Sequence, residues 1–94
     1  MHHFRMVWED EANARLVEVL VDYTLLGDLV QVSTIRPTKV TNYHPQTKKA
    51  KRVLPVWTAA GRRVLRRAFL KNHMGIVSLQ REIQAQHDQQ LAVA

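Results

Sequence analysis

The sequence predicts an α+β domain with a three- or four-stranded antiparallel β-meander over residues 3–54, followed by two C-terminal helices packed on one face of the sheet. The first half of the chain alternates apolar and polar residues and is rich in β-branched side chains. A glycine turn separates two of these runs, and the pattern then changes to a helical period after residue 56. A chain of 94 residues suits one modest core. We therefore assign residues 1–90 to a single domain and residues 91–94 to a frayed tail.

The first two strands follow from alternation. Residues 3–8 place Phe4, Met6 and Trp8 on one side, so we predict a short strand there. The acidic residues 9–14 break the pattern and fit either a hairpin connection or the first turn of a helix. Residues 15–26 favour a strand, although a helical reading stays open. As a strand this run has one face made of Val17, Val19, Val21 and Tyr23.

A third strand is predicted for residues 29–36, after the turn at Gly27. Its alternation puts Val30, Val32 and Thr34 on one face. Pro37 ends or bulges this strand because proline has no backbone donor. Residues 39–43 continue the strand or form a fourth one, residues 44–51 form a polar loop, and residues 52–54 return briefly to the sheet.

The first helix is predicted over residues 58–71, with Thr58 as its N-cap. At 100° per residue, one arc is apolar and is expected to face the sheet. Its members are Trp57, Gly61, Val64, Leu65, Ala68 and Phe69. On this assignment a Val64→Asp substitution should unfold the domain, because an unpaired buried charge costs several kcal/mol.

The second helix is predicted over residues 76–87, after a turn in which Asn72 or Gly75 can adopt a left-handed conformation. Its apolar stripe is thin: Ile76, Leu79 and Ile83 form it, and Gln86 lies at its end. A stripe of this width buries little surface, so we expect the helix at one edge of the core or against a partner.

Charge is distributed unevenly along the chain. Residues 1–35 contain two basic and six acidic residues, whereas residues 36–94 contain twelve basic and two acidic residues, within a net charge of +6. Either one surface attracts polyanions, or the acidic half neutralises the basic half within the fold or across a dimer.

The basic residues concentrate in two places that we predict to bind anions. Like charges one helical turn apart repel, so the density of arginines on the first helix favours a binding role over a purely solvated surface, although the solvated reading stays open. The polar loop adds lysines that could contact the same phosphate backbone. The predicted site comprises Arg62, Arg63, Arg66, Arg67 and Lys71 of the helix, with Lys48, Lys49, Lys51 and Arg52 of the loop.

Several classes of function find no support in the sequence. The absence of cysteine excludes disulfides and thiolate metal sites, and the five histidines lack metal-ligand spacing. No nucleophile elbow, phosphate-binding glycine loop or paired catalytic carboxylates occur, so we predict a non-enzymatic protein without metal or cofactor. No apolar run reaches the length of a membrane span, which leads us to expect a cytoplasmic protein with no membrane partner.

Two functions remain. The first is a small regulatory protein that binds DNA or RNA through the basic helix and the lysine-rich loop. The second is a protein-interaction module or inhibitor that docks an acidic partner, for example one encoded by a phage or other mobile element. Residues 61–87 also have the outline of a helix-turn-helix, or alternatively of a helical hairpin that covers one face of the sheet. In the helix-turn-helix reading, the second helix would read bases through Ser78, Gln80, Arg81, Gln84 and Gln86. If the chain forms an oligomer, we expect a dimer.

Overall fold

The computed structural model describes the backbone of residues 1–93 and the side chains of residues 1–90. The four strands β1 (His2–Asp10), β2 (Arg15–Leu26), β3 (Leu29–Tyr43) and β4 (Ala50–Pro55) precede α1 (Ala59–Asn72) and α2 (Ile76–Val93). The strands form one antiparallel sheet in the order β1-β2-β3-β4, so the four-stranded form of the predicted meander is confirmed. Ala94, at the end of the predicted frayed tail, lies outside the described residues.

The two alternatives left open in the N-terminal half are resolved as hairpin and strand. Glu11–Asn13 forms a single 3-10 turn between β1 and β2, and Ala14 closes it in the left-handed conformation with φ 49°. Residues 15–26 pair with both neighbouring strands, and every second residue from Val17 to Tyr23 is buried. Because β2 pairs with β1 on one edge and with β3 on the other, residues 15–26 form a strand and not a helix. The periodicity of the sequence alone does not reveal this pairing.

Two irregularities in β3 change which of its side chains face the helices. The register against β2 shifts once after Val32 and again after Pro37, so Ser33 and Thr38 have no direct partner. As a result Ile35 and Pro37 turn to the buried side, whereas Thr34 points to the other face. The predicted placement of Thr34 beside Val30 and Val32 was therefore wrong.

The hydrophobic core lies between one face of the sheet and the two helices. β2 supplies the central row, with Val17, Val19 and Val21 almost inaccessible to solvent. From the helices, Phe69 packs edge-on against Trp8 with ring centroids 6.3 Å apart. The other buried apolar residues of this core are Tyr23, Val30, Ile35, Val40, Leu65, Leu79 and Ile83.

Helix α1 is rotated relative to the predicted arc. Leu65 and Phe69 are buried as expected and Ala68 is half-buried, but Val64 is 66% exposed and Trp57 is 75% exposed. Thr58 is the N-cap and accepts a hydrogen bond from the Gly61 nitrogen at 3.1 Å, so Trp57 precedes the helix and does not share its period. The placement of Trp57 and Val64 in the core was wrong, and Val64→Asp is no longer expected to unfold the domain.

The turn between the helices satisfies the carbonyls at the end of α1. The Gly75 nitrogen donates to the Leu70 carbonyl at 2.8 Å and the Met74 nitrogen to the Lys71 carbonyl at 3.3 Å, a Schellman arrangement. Gly75 takes the positive φ expected for a cap, at 100°. Met74 also has a positive φ, at 59°, which is unusual for a residue with a side chain.

Helix α2 covers the part of β3 that β4 does not reach. Leu79 and Ile83 are fully buried as predicted, whereas Ile76 and Gln86 are exposed. Two glutamine side chains of α2, one turn apart, accept hydrogen bonds from backbone N–H groups of β3 that no strand pairs with. Val30 donates to Gln84 Oε1 at 2.7 Å, and Val32 donates to Gln80 Oε1 at 3.1 Å. Within the described residues, neither helix is long and apolar enough to cross a membrane.

Candidate nucleic-acid interface

The cations of α1 lie on the exposed surface of the helix. With Leu65 and Phe69 directed into the core, the helical period places Arg63, Arg67 and Lys71 on the opposite side. Arg62 and Arg66 occupy one flank rather than that outer row, and Arg62 lines a small depression with Arg36 of β3. The five predicted residues therefore form two adjacent rows. We call them together the α1 basic surface: Arg62, Arg63, Arg66, Arg67 and Lys71.

No acidic side chain compensates this surface. Among the residues whose side chains are described, none of its five cations has a carboxylate oxygen within 4.0 Å. The first turn of α1 also lacks an acidic residue. Because the helix N-terminus carries a partial positive charge, Arg62 and Arg63 add to a potential that is already positive.

The acids of the N-terminal half instead pair within the sheet. Arg15 contacts Asp10 at 2.8 Å, and Lys39 contacts Glu18 at 2.9 Å. Burial acts to raise the pKa of Asp10, but hydrogen bonds from Asn13 and Arg15 outweigh it and hold the pKa below its usual value. Arg15–Asp10 lies within the N-terminal half, whereas Lys39–Glu18 joins the two halves; both pairs lie in the sheet, and neither involves α1.

Asp22 is the most heavily bonded of these acids and lies on the sheet face away from the helices. Its carboxylate accepts hydrogen bonds from Thr34 and His3, both at 2.6 Å, and pairs with Arg36 at 2.8 Å. The hydrogen bond from Thr34, followed by that from His3, lowers the pKa of Asp22. A carboxylate with three donors is a structural anchor between β1, β2 and β3.

The lysine-rich loop divides into one anchored and three unpaired cations. The Lys48 ammonium lies 3.6 Å from Glu9 and 4.9 Å from the centre of the Tyr43 ring. Burial and the hydrogen bond donated to Glu9 raise the pKa of Tyr43, with Lys48 opposing them. The other three are Lys49, Lys51 and Arg52, which are exposed and have no acid within 4.0 Å among the described side chains. Lys51 and Arg52 lie on β4, so the loop predicted to run to residue 51 ends at Lys49.

A continuous surface joins the loop to the start of α1. One depression is lined by Lys51, Arg52 and Asn42, and a second by Asn42, Trp57 and Thr58. The two meet at Asn42 on the helix side of β3. Arg15, held by Asp10, lines the second depression and adds another cation to its floor. The structure therefore connects Lys51 and Arg52 with the N-terminal turn of α1.

Trp57 is the residue of this surface that sequence reasoning missed. Its indole is 75% exposed at the mouth of the second depression, immediately before the N-cap. The available signal was Thr58: an N-cap there places Trp57 outside the helical period. The structure also changes the reading of α2, because the amide oxygens of Gln80 and Gln84 are occupied by β3 and are not free to contact bases.

Among the described residues, no group of three or more His, Asp or Glu side chains is placed to hold a metal ion. No protein-family model, curated protein or solved structure matches this chain. The candidate function therefore depends on the geometry and charge of the surface itself.

Proposed function

We propose that this protein binds nucleic acid through the α1 basic surface, with the lysine-rich loop as a second point of contact. The observation that carries the proposal is that, among the described side chains, no acid lies within 4.0 Å of the α1 cations, whereas Asp10, Glu18 and Asp22 each pair with a cation of the sheet. Repulsion between cations one turn apart costs about 0.2–0.5 kcal/mol per pair. A bound polyanion relieves that repulsion and releases counterions, which supplies most of the non-specific affinity for a phosphate backbone.

The proposed contacts differ in role. Arg63, Arg67 and Lys71 are spaced at four-residue intervals, about 6 Å along the helix axis, and form a row that tracks a backbone. Lys49, Lys51 and Arg52 extend the contact beyond the depression at Asn42. Lys48 contributes less, because it is already held by Glu9 and Tyr43.

The exposed indole of Trp57 favours a ligand with unpaired bases. Stacking of a base on an aromatic side chain is worth about 1–3 kcal/mol and tolerates any base, since every base has a π-face. An aromatic platform beside arginines is typical of surfaces that bind single strands. We therefore expect single-stranded DNA or RNA to bind more tightly than a duplex of the same sequence.

Salt-dependent affinity tests the role of the arginines. Fluorescence anisotropy with a labelled oligonucleotide should show that Arg63→Ala/Arg67→Ala weakens binding and reduces the slope of log K against log salt by about 1.4 for a single strand. A matched control, Arg5→Ala/Arg81→Ala, removes the same charge from exposed positions elsewhere that have no acid within 4.0 Å among the described side chains. It should change the slope much less, because only long-range attraction is lost. Equal losses of affinity and of salt slope in both variants would show that the net charge of the protein, not the α1 basic surface, attracts the oligonucleotide.

Tryptophan fluorescence tests the stacking contact. Trp8 is buried and Trp57 is exposed, so quenching by an added oligonucleotide reports mainly on Trp57. Trp57→Ala should abolish the quenching and lower single-strand affinity roughly tenfold. If the purified protein binds no oligonucleotide at low salt and captures an acidic protein equally with and without nuclease, the α1 surface is a protein-docking site and the proposal is wrong.

A further inference from the structure

The sheet has three stretches of free strand edge, and two of them are protected. The uncovered part of β3 is capped by the side-chain amides of Gln80 and Gln84. β4 is six residues long and contains Lys51, Arg52 and Pro55, which are residue types that discourage strand addition. Each of these edges therefore has a feature that prevents another strand from pairing with it.

Among the described residues, no side-chain hydrogen bond caps the outer edge of β1, although Arg5, Glu9 and Asp10 give this edge charges of both signs. The strand is nine residues long and pairs with β2 throughout, without a bulge that would twist its edge away. It contains neither proline nor lysine, and its middle includes the half-buried Phe4 and Met6 and the 63% exposed Val7. A long, regular edge of this kind presents unpaired N–H and C=O groups to any matching strand.

We propose that β1 pairs antiparallel with β1 of a second copy of this chain, about a two-fold axis at Met6. This arrangement makes one eight-stranded sheet with all helices on the same face. In an antiparallel pair of strands, residues that lie opposite each other are on the same face of the sheet. The two-fold symmetry axis repeats every contact between two different residues, so each such pair occurs twice in the dimer. The pairs are His2 with Asp10, His3 with Glu9, Phe4 with Trp8, Arg5 with Val7, and Met6 with itself.

The sequence of β1 is self-complementary in this register. Its basic residues lie before Met6 and its acidic residues after it, so the ends of one strand meet groups of opposite polarity on the other. His3 uses Nδ1 to contact Asp22, which leaves Nε2 facing the partner's Glu9, where it donates a hydrogen bond in the imidazolium form. On the helix side, Phe4 meets Trp8, an aromatic pair of the kind that stabilises neighbouring strands.

Neighbouring registers fit less well. A two-fold axis at Arg5 places the two arginines directly opposite each other. An axis at Val7 pairs Arg5 with Glu9, but it shortens the overlap and sets the apolar Phe4 against the carboxylate of Asp10. The axis at Met6 keeps all nine residues of the strand paired.

Sedimentation equilibrium of nuclease-treated, salt-washed protein tests the proposal independently of nucleic-acid binding. The parent should be a dimer. Val7→Lys places a cation opposite the partner's Arg5 at two symmetric sites and should weaken dimerisation by roughly tenfold or more. Within one chain the new lysine lies opposite Glu18, so the fold is retained, as circular dichroism will show. The control is Val53→Lys on β4, where the valine is 54% exposed, and it should leave the dimer intact.

A second substitution tests the register. Adding Arg5→Glu to Val7→Lys sets a carboxylate opposite each new ammonium group and should restore dimerisation to within a few-fold of the parent. With the axis at Val7, the same change would instead set a carboxylate against Glu9 and weaken the dimer further. A monomeric parent at several hundred micromolar, a Val7→Lys variant that dimerises as tightly as the parent, or failure of the rescue would each overturn the proposal.

Discussion

The buried face of α1 can be tested by truncating two adjacent residues. Leu65 is 7% exposed and belongs to the core, whereas its neighbour Val64 is 66% exposed. Leu65→Ala and Val64→Ala each remove only aliphatic carbon atoms from the same helix, an isopropyl group and two methyl groups respectively. Because alanine is the best helix former, neither change harms the helix itself, so a difference in stability reports on burial alone.

The expected magnitudes differ clearly. Leu65→Ala should lower the free energy of unfolding by about 2–3 kcal/mol, the lower part of the usual range, because Leu65 lines an open depression into which neighbours can relax. Val64→Ala should stay within about 0.5 kcal/mol of the parent. Val64→Asp should be equally mild, since its carboxylate lies three residues before Arg67 and can pair with it.

Urea denaturation followed by far-ultraviolet circular dichroism measures these differences, and thermal melts provide a second estimate. For a domain of this size, Leu65→Ala corresponds to a fall in Tm of roughly 10–20 °C. The orientation predicted from the sequence, with Val64 in the core, would instead make Val64→Asp strongly destabilising. A Val64→Asp variant that is as destabilised as Leu65→Ala would refute the orientation of α1 described above.

Three further predictions concern stability. Asp22 has a lowered pKa, so the stability that its carboxylate contributes is complete above its unfolded pKa and is lost as pH falls through its folded pKa. Thr34→Val removes a hydrogen bond to this carboxylate and should move that loss of stability to higher pH in acid melts. Thr41→Val, on the same sheet face, should not. Met74→Gly should raise the free energy of unfolding by about 0.5–1 kcal/mol by relieving the left-handed backbone, measured by urea denaturation. Gln84→Leu should lower it by about 1–2 kcal/mol and speed hydrogen exchange at Val30, because the amide loses its acceptor.

The order and type of the elements could be predicted from the sequence because each has its own period. Alternation identified the buried face of β2, and Thr58 identified the start of α1. Pro37 predicted the second irregularity of β3, which falls at Thr38, but the first, at Ser33, is set by pairing with β2 and has no local signal. An insertion of one unpaired residue reverses every side chain that follows it.

The rotation of α1 has a similar cause. A helical wheel that includes Trp57 draws the apolar arc toward the most hydrophobic residue, although that residue precedes the N-cap. Once it is removed, the buried positions reduce to Leu65 and Phe69 with partly buried Ala68 and Leu70. The predicted cations of α1 remain exposed in spite of this rotation, because they span a wide arc of the helix surface and a small rotation leaves all of them outside the core. Which of them face the sheet flank, such as Arg62, depended on the tertiary contact with β3.

The charge asymmetry of the chain links its stability to the proposed function. Asp10, Glu18 and Asp22 hold neighbouring strands together, and each does so by pairing with a cation of the sheet. An acid placed on α1 would stabilise the helix in the same way, yet none occurs there. The repulsion that remains on α1 is small beside the burial of Phe69, so the fold tolerates it. Two-fold pairing through β1 would place a second α1 basic surface on the same side of the sheet. A polyanion long enough to reach both surfaces would then gain avidity without any new kind of contact.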